Sequence, residues 1–171
     1  MTVCLFSQPT SANTELSPNP SFVLSAGHAF LLQDLMLHFT GYPAWMMDEI
    51  KKYHAPVTDG IAAGHPEIDF PGIEVTTRPL GQGIANAVGM AVAGNMVAAT
   101  YNKPDFDTAP GKIWCFTGDG CLQEGVGQEG GFVGMGRADE VAISMAGHWG
   151  LDNLNLIYDN NAVTVDGNID R

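Results

Sequence analysis

Gly118-Asp119-Gly120 closes the apolar run 113–116, and a second apolar run further along the chain ends in Asp159-Asn160-Asn161. The two glycines let the backbone turn sharply and approach phosphate oxygens, while Asp119 is a hard oxygen ligand of the kind Mg²⁺ prefers. Asn160 or Asn161 can add a neutral second oxygen. If the two runs are neighbouring parallel strands, both ligands emerge at strand carboxyl ends, where open α/β sheets bind ligands. The implied chemistry is a diphosphate held through a divalent cation. Taken singly, Gly-Asp-Gly is a common turn and Asp-Asn-Asn is ordinary loop chemistry, so the weight falls on what surrounds them.

The surrounding pattern is that of an α/β domain with a mainly parallel sheet flanked by helices. Residues 112–116 and 154–158 read as strands. Residues 83–101 give the clearest helix, with small and apolar residues at helical spacing and Gly89 and Gly94 permitting close approach of another element. Helices are also predicted over 26–39, stopped by Gly41-Tyr42-Pro43, and over 44–53. Pro and Gly between 54 and 72 mark a loop, and Ser, Thr, Pro and Asn over 1–20 mark a flexible lead before order begins at Phe22. One domain, 21–171, is expected.

With 171 residues and 45% hydrophobic content the chain can build one core. Nineteen acidic against seven basic residues give a formal charge of −12. That balance argues against nucleic acid, whose phosphates require clustered Lys and Arg. It also repels a free diphosphate, which makes a divalent ion more necessary. Cys4, Cys115 and Cys121 are odd in number and lack zinc spacing, which fits a reduced compartment. Cys115 reads as a small core residue, and Cys121 as either packing or a neighbour of the ligand. No uninterrupted apolar run approaches the ~18 residues of a membrane span, and the N-terminus has no signal-peptide pattern. The expectation is a soluble, cytoplasmic protein that does not engage a membrane.

The motifs Phe22-Val-Leu-Ser-Ala-Gly-His28-Ala29, Gly64-His65-Pro66-Glu67, Gly72-Ile-Glu-Val-Thr-Thr-Arg78-Pro79-Leu80-Gly81, Gly118-Asp119-Gly120-Cys-Leu-Gln-Glu124-Gly and Tyr158-Asp-Asn-Asn161-Ala-Val163 occur in one order from residue 20 onward. Together they closely resemble the transketolase family. The resemblance implies the thiamine diphosphate-binding fold, here a partial diphosphate-binding domain, with thiamine diphosphate and Mg²⁺ as cofactors and Ca²⁺ as a possible substitute. It implies metal ligation by Asp119, Asn161 and the carbonyl of Val163. Gly118, Gly120 and His28 then face the diphosphate, Leu80 lies against the cofactor, Glu124 stands at a dimer contact near it, and His65 reaches the substrate. The implied activity is transfer of a two-carbon ketol unit from ketose to aldose phosphates, as in the pentose phosphate pathway. It would be carried out by a homodimer or with a chain supplying the pyrimidine domain. Dihydroxyacetone synthase is equally similar over this stretch.

Without the resemblance, His28 is a capping residue near a helix start, Glu124 a first-turn residue favoured by the helix dipole, and His148 a packing residue at a helix end. His38 and His54 receive no role. Three departures from the family stand out. Arg78 replaces the usual Gly, and would either block the cofactor pocket or add charge to it. A glycine-rich insertion over 130–141 lengthens the path from Asp119 to Asn161. The family's preceding histidine segment and its following pyrimidine domain, with the activating glutamate, are not in this sequence. The alternative to an enzyme component is therefore a catalytically inactive, truncated cofactor-binding or pairing module.

Overall fold

A computed structural model describes residues 20–106, 111–123, 138–164 and 167–168. The expected lead up to residue 19, Glu124 and the greater part of the insertion lie outside the described residues. Three strands, β1 (Ser21–Leu24), β2 (Ile113–Gly118) and β3 (Leu154–Asp159), form a parallel sheet in the order β1-β2-β3. The register sets Leu24 beside Phe116 and Gly118 beside Asp159.

Side chains alternate across this sheet, and each face buries a separate cluster. Val23, Ile113 and Cys115 pack with Ile84, Ala87, Val88 and Ala91 of α3 (Gln82–Tyr101) and Ala146 of α5 (Ala138–His148). Phe22 and Leu24 pack on the other side with Phe30 and Leu37 of α1 (Phe30–Phe39), Trp45 and Ile73. A sheet covered on both faces explains why β2 reads as a continuous apolar run. Burial also pushes the Cys115 thiol up to about 12, so it is an inert core residue, while β3 forms the sheet's outer edge with Leu156 and Tyr158 exposed.

The predicted helix over 26–39 divides into a 3-10 turn, Gly27–Ala29, followed by α1. The helix expected over 44–53 contracts to α2 (Met47–Ile50). Trp45 explains the contraction: its ring is fully buried and its Nε1 donates to the Pro71 carbonyl at 2.6 Å, which anchors the chain before Met46 can enter a helix. His38 Nδ1 lies 2.7 Å from the Trp45 carbonyl and so helps hold the same corner. His148 ends α5 as an exposed residue, contrary to the packing role expected of it. Length and mean hydropathy (1.3) would allow α3 to cross a membrane; here one face of it packs against the sheet, with 33% of the span buried.

Asp34 is the discordant residue of α1. It is 2% exposed, its Oδ2 has no hydrogen-bond partner, and burial raises its pKa from 3.8 to about 7. Between these values the folded state binds a proton that the unfolded state has released, so this group's contribution falls as pH rises from about 4 to 7. The Asp34→Asn variant is expected to melt a few degrees higher than the parent at pH 8, a gain of about 2 kcal/mol after allowance for partial screening. That advantage should shrink toward pH 4, which a thermal-melting series across pH would measure.

Candidate active site

All three strands end at the same edge of the sheet, and the polar residues singled out in the sequence cluster there. After β1 the chain turns through Ser25, whose amide continues the ladder to the Phe116 carbonyl at 2.8 Å, and presents His28 in the 3-10 turn. After β2 it enters α4 (Asp119–Gln123) directly, so Asp119 opens a short helix that Gly-Asp-Gly had suggested only as a turn. After β3 come Asn161 and a small antiparallel pair, β4 (Val163–Thr164) and β5 (Gly167–Asn168). His28, Leu80, Gly118, Asp119, Gly120, Asn161 and Val163 line a single cavity of about 260 Å³. Ala26, Ala29, Phe116, Cys121, Asp159 and Thr164 complete its wall.

Asp119 is 3% exposed and organises the floor. Its Oδ2 accepts the backbone N–H groups of Asn161 (3.0 Å) and Ala162 (2.8 Å), and its Oδ1 accepts the Tyr158 hydroxyl. That hydroxyl bond, with burial and the negative charges of Asp119 and Asp159, raises the Tyr158 pKa. Ala162 has a φ of 59°, a left-handed conformation costly for a residue with a side chain. The Asp119 carboxylate supplies the bond that holds it. Asn161 Oδ1 accepts the Val163 N–H at 3.0 Å, which fixes the amide's orientation.

The opposite wall comes from the strap 76–80. Thr77 is buried and donates its hydroxyl to the Leu24 carbonyl at 2.7 Å, tying the strap to the end of β1. Leu80 Cδ1 would stand 3.4 Å from a Cβ added at Gly120. A side chain at position 120 would thus enter the space between α4 and Leu80.

His65 is not among the cavity's lining residues. It lies close enough to Arg78, Glu67, His28 and His54 for their charges to act on it, and burial followed by Arg78 holds its imidazole below the usual histidine range against the opposing pull of Glu67. Arg78 does not line the cavity either. Its Nε donates to Glu67 Oε1 at 2.9 Å, and a terminal nitrogen reaches the same oxygen. The blocked pocket suggested as one consequence of Arg78 is therefore not what the structure has. His54, which the sequence left without a role, adopts a φ of 62° and sets its ring edge against Tyr53 at 4.2 Å.

The residues present suit a cation bound together with a phosphate ester. A buried carboxylate, an oriented amide oxygen and a backbone carbonyl at Val163 are hard oxygen donors, and the gap beside Gly120 leaves room for an approaching group. Among the described residues there is no cluster of three or more His, Cys, Asp or Glu side chains. A cation here would depend on amide and carbonyl oxygen as well as on ligand phosphate. The sequence did not single out Tyr158: in a strand pattern it reads as one more apolar position, and only the sheet register brings its hydroxyl to Asp119.

The family profile described as transketolase, thiamine diphosphate binding domain, matches residues 2–171. The chain belongs to the transketolase family. It is 48% identical over 149 residues to a dihydroxyacetone synthase of Pichia angusta, covering 87% of this chain and 19% of that protein. Transketolase 1 of Saccharomyces cerevisiae is 49% identical over 146 residues, 85% of this chain and 19% of the relative. Among solved structures, transketolase from Leishmania mexicana superposes with a TM-score of 0.74 at 43% identity, over 88% of this chain and 20% of that one. A transketolase variant of Pichia stipitis in complex with xylulose 5-phosphate gives a TM-score of 0.77 at 41% identity, over 95% and 22% of the two chains. The fold is thus the diphosphate-binding domain of transketolase, and the chain spans about a fifth of the length of the curated relatives it matches.

Proposed function

We propose that this chain is the diphosphate- and metal-holding part of an enzyme that transfers a two-carbon ketol unit from ketose to aldose phosphates, as in the pentose phosphate pathway. The observation that carries the reading is the gathering of His28, Leu80, Gly118, Asp119, Gly120, Asn161 and Val163 around one cavity at the carboxyl ends of parallel strands.

Asp119, the Asn161 side-chain oxygen and the Val163 carbonyl hold Mg²⁺, or Ca²⁺ in its place, and the cation offsets the repulsion between a diphosphate and a chain of net charge −12. Gly118 and Gly120 admit the diphosphate close to the backbone, and His28 donates a hydrogen bond to it. Leu80 supports the cofactor from the side of the strap. When bound, thiamine diphosphate supplies the electron sink for carbon–carbon cleavage and transfer. Burial and Arg78 hold the His65 imidazole below the usual histidine range, and its role in this reading is to exchange a hydrogen bond or proton with a substrate oxygen. The outward side of α3, with Met96 and Val97 exposed, provides a surface for a homodimer or for a chain carrying the pyrimidine domain. The two described cysteines are free thiols, which accords with a cytoplasmic location.

Calorimetric titration of the 171-residue chain with thiamine diphosphate, with Mg²⁺ and then with EDTA, tests this reading. Saturable binding that requires the metal supports it, and absence of binding to a folded chain sinks it. If binding occurs, turnover of a ketose phosphate on addition of candidate pyrimidine-domain chains separates an enzyme component from an inactive binding module.

A further inference from the structure

The loop carrying His65 has no regular secondary structure, yet it is joined to the strap 76–80 by a compact set of bonds on one side of the histidine. Thr77 N–H donates to the Pro66 carbonyl at 3.3 Å, and Ile68 N–H donates to Thr76 Oγ1 at 2.9 Å. Thr76 Oγ1 in turn donates to Glu67 Oε2 at 3.4 Å. The other carboxylate oxygen, Oε1, takes Arg78 Nε at 2.9 Å together with a terminal guanidinium nitrogen. Glu67 thus receives donors on both oxygens, and its side chain is only 15% exposed against 63% for Arg78. An ion pair between two fully solvated side chains contributes little. This one has its acid withdrawn from water and its geometry fixed from two sides.

We propose that the Arg78–Glu67 pair is a positioning clasp for His65, fixing its loop to the strap that also carries Leu80 and thereby setting both where the imidazole lies and which charges it senses. The clasp rests on the reading of His65 as a substrate-facing residue, but its existence can be measured without cofactor or turnover. Four charged or titratable groups act on the His65 ring: Arg78, His28 and His54 disfavour its protonation, and Glu67 favours it. Breaking the clasp from its two ends should therefore move His65 in opposite directions. Loss of Arg78 removes a neighbouring cation and lets the loop rise into water, and both effects raise the imidazole pKa. Loss of the Glu67 charge removes the one group that favours protonation, and lowers it further.

The test is an NMR pH titration of the imidazole resonances of the ligand-free chain, with His65 assigned through a His65→Asn variant, and amide hydrogen exchange measured on the same samples. The Arg78→Ala variant is expected to raise the His65 pKa by about half a unit or more and to speed exchange at Ile68 and Thr77. Glu67→Gln, whose amide oxygen can still accept from Arg78 and so keeps the loop near the strap, is expected to lower the pKa with a smaller rise in exchange than Arg78→Ala gives. Arg78→Lys, which keeps the charge but not the planar two-nitrogen contact, should restore the pKa more fully than the exchange protection. A folded Arg78→Ala protein with an unmoved His65 pKa and unchanged exchange at Ile68 and Thr77 would overturn the proposal. So would Arg78→Ala and Glu67→Gln shifts of the same sign. Should Arg78→Ala fail to fold, the Glu67→Gln and Arg78→Lys proteins decide the matter by the same two readouts. Failure to bind thiamine diphosphate would count against the proposed function and leave these results standing.

Discussion

The Asp119→Ala variant is expected to lose Mg²⁺-dependent binding of thiamine diphosphate, with affinity falling about a hundredfold or more. Two effects add. Alanine removes the one buried carboxylate at the floor of the cavity, so a cation would be left with amide and carbonyl oxygens, and the diphosphate would face a strongly acidic chain with less metal to screen it. Alanine also removes the acceptor for the N–H groups of Asn161 and Ala162 and for the Tyr158 hydroxyl. Without those bonds Ala162 has no reason to keep its left-handed conformation, and the turn that aims Asn161 and Val163 into the cavity should relax. These bonds are only partly buried, so losing each costs about 0.5–1.5 kcal/mol, and the ligand-free variant should also melt lower. Asp119→Asn separates the two effects. It retains one oxygen for the Asn161 and Ala162 amides and keeps much of the thermal stability, yet without the negative charge it should bind metal poorly. Titration calorimetry and melting curves on the three proteins give both quantities. Equal cofactor affinity in the parent and both variants would remove Asp119 from the metal site.

The residues legible in the sequence were those whose role depends on local backbone. Gly118, Asp119 and Gly120 follow an apolar strand, and Asn161 follows another; once the two strands are parallel neighbours, as the register of Gly118 beside Asp159 makes them, these residues gather at one sheet edge, while His28, Leu80 and Val163 were singled out only through the family resemblance. α3 was legible because its buried positions recur at helical spacing from Gly83 to Gly94, about three turns. β1 was seen only as the onset of order, because a four-residue strand with three consecutive buried residues shows no alternation to read. α4 was missed as a helix because glycine at 120 argues against one, and the site geometry overrides that weak local preference. Positions set by tertiary contact left no trace at all. Nothing in a strand pattern marks Tyr158 as a partner of Asp119. Opposite charges eleven residues apart in an irregular loop do not announce the Arg78–Glu67 pair, and position 78 read instead as either an obstacle in the pocket or an added charge there.

Gly27→Ala should be strongly damaging for a single added methyl. A Cβ at position 27 would stand 2.0 Å from the Thr77 carbonyl oxygen, 3.0 Å from its carbon and 3.1 Å from its Oγ1. Two of these three atoms are backbone, so no side-chain rotation relieves the overlap and the strap must move away from the end of β1. The Thr77 hydroxyl then loses the Leu24 carbonyl, a bond buried at both ends, and overpacking of a tight contact typically costs about 1–3 kcal/mol before that loss is counted. In a domain of this size the sum corresponds to a fall in melting temperature of roughly 5–15 °C. The displacement should reach the cavity as well, because the strap that retreats from Gly27 carries Leu80, which faces Gly120, while Gly27 itself precedes His28. Cofactor affinity, measured below the melting transition so that only folded protein is compared, is accordingly expected to fall together with stability. Gly89→Ala is the matched control: an added Cβ there meets nothing within 4 Å, and a helix interior favours alanine over glycine by roughly 0.5–1 kcal/mol, so that variant should melt slightly higher and bind as the parent does. If Gly27→Ala instead melts with the parent, the close approach of strap and β1 is not a feature of the folded chain, and the wall of the cavity formed by Leu80 must be drawn differently.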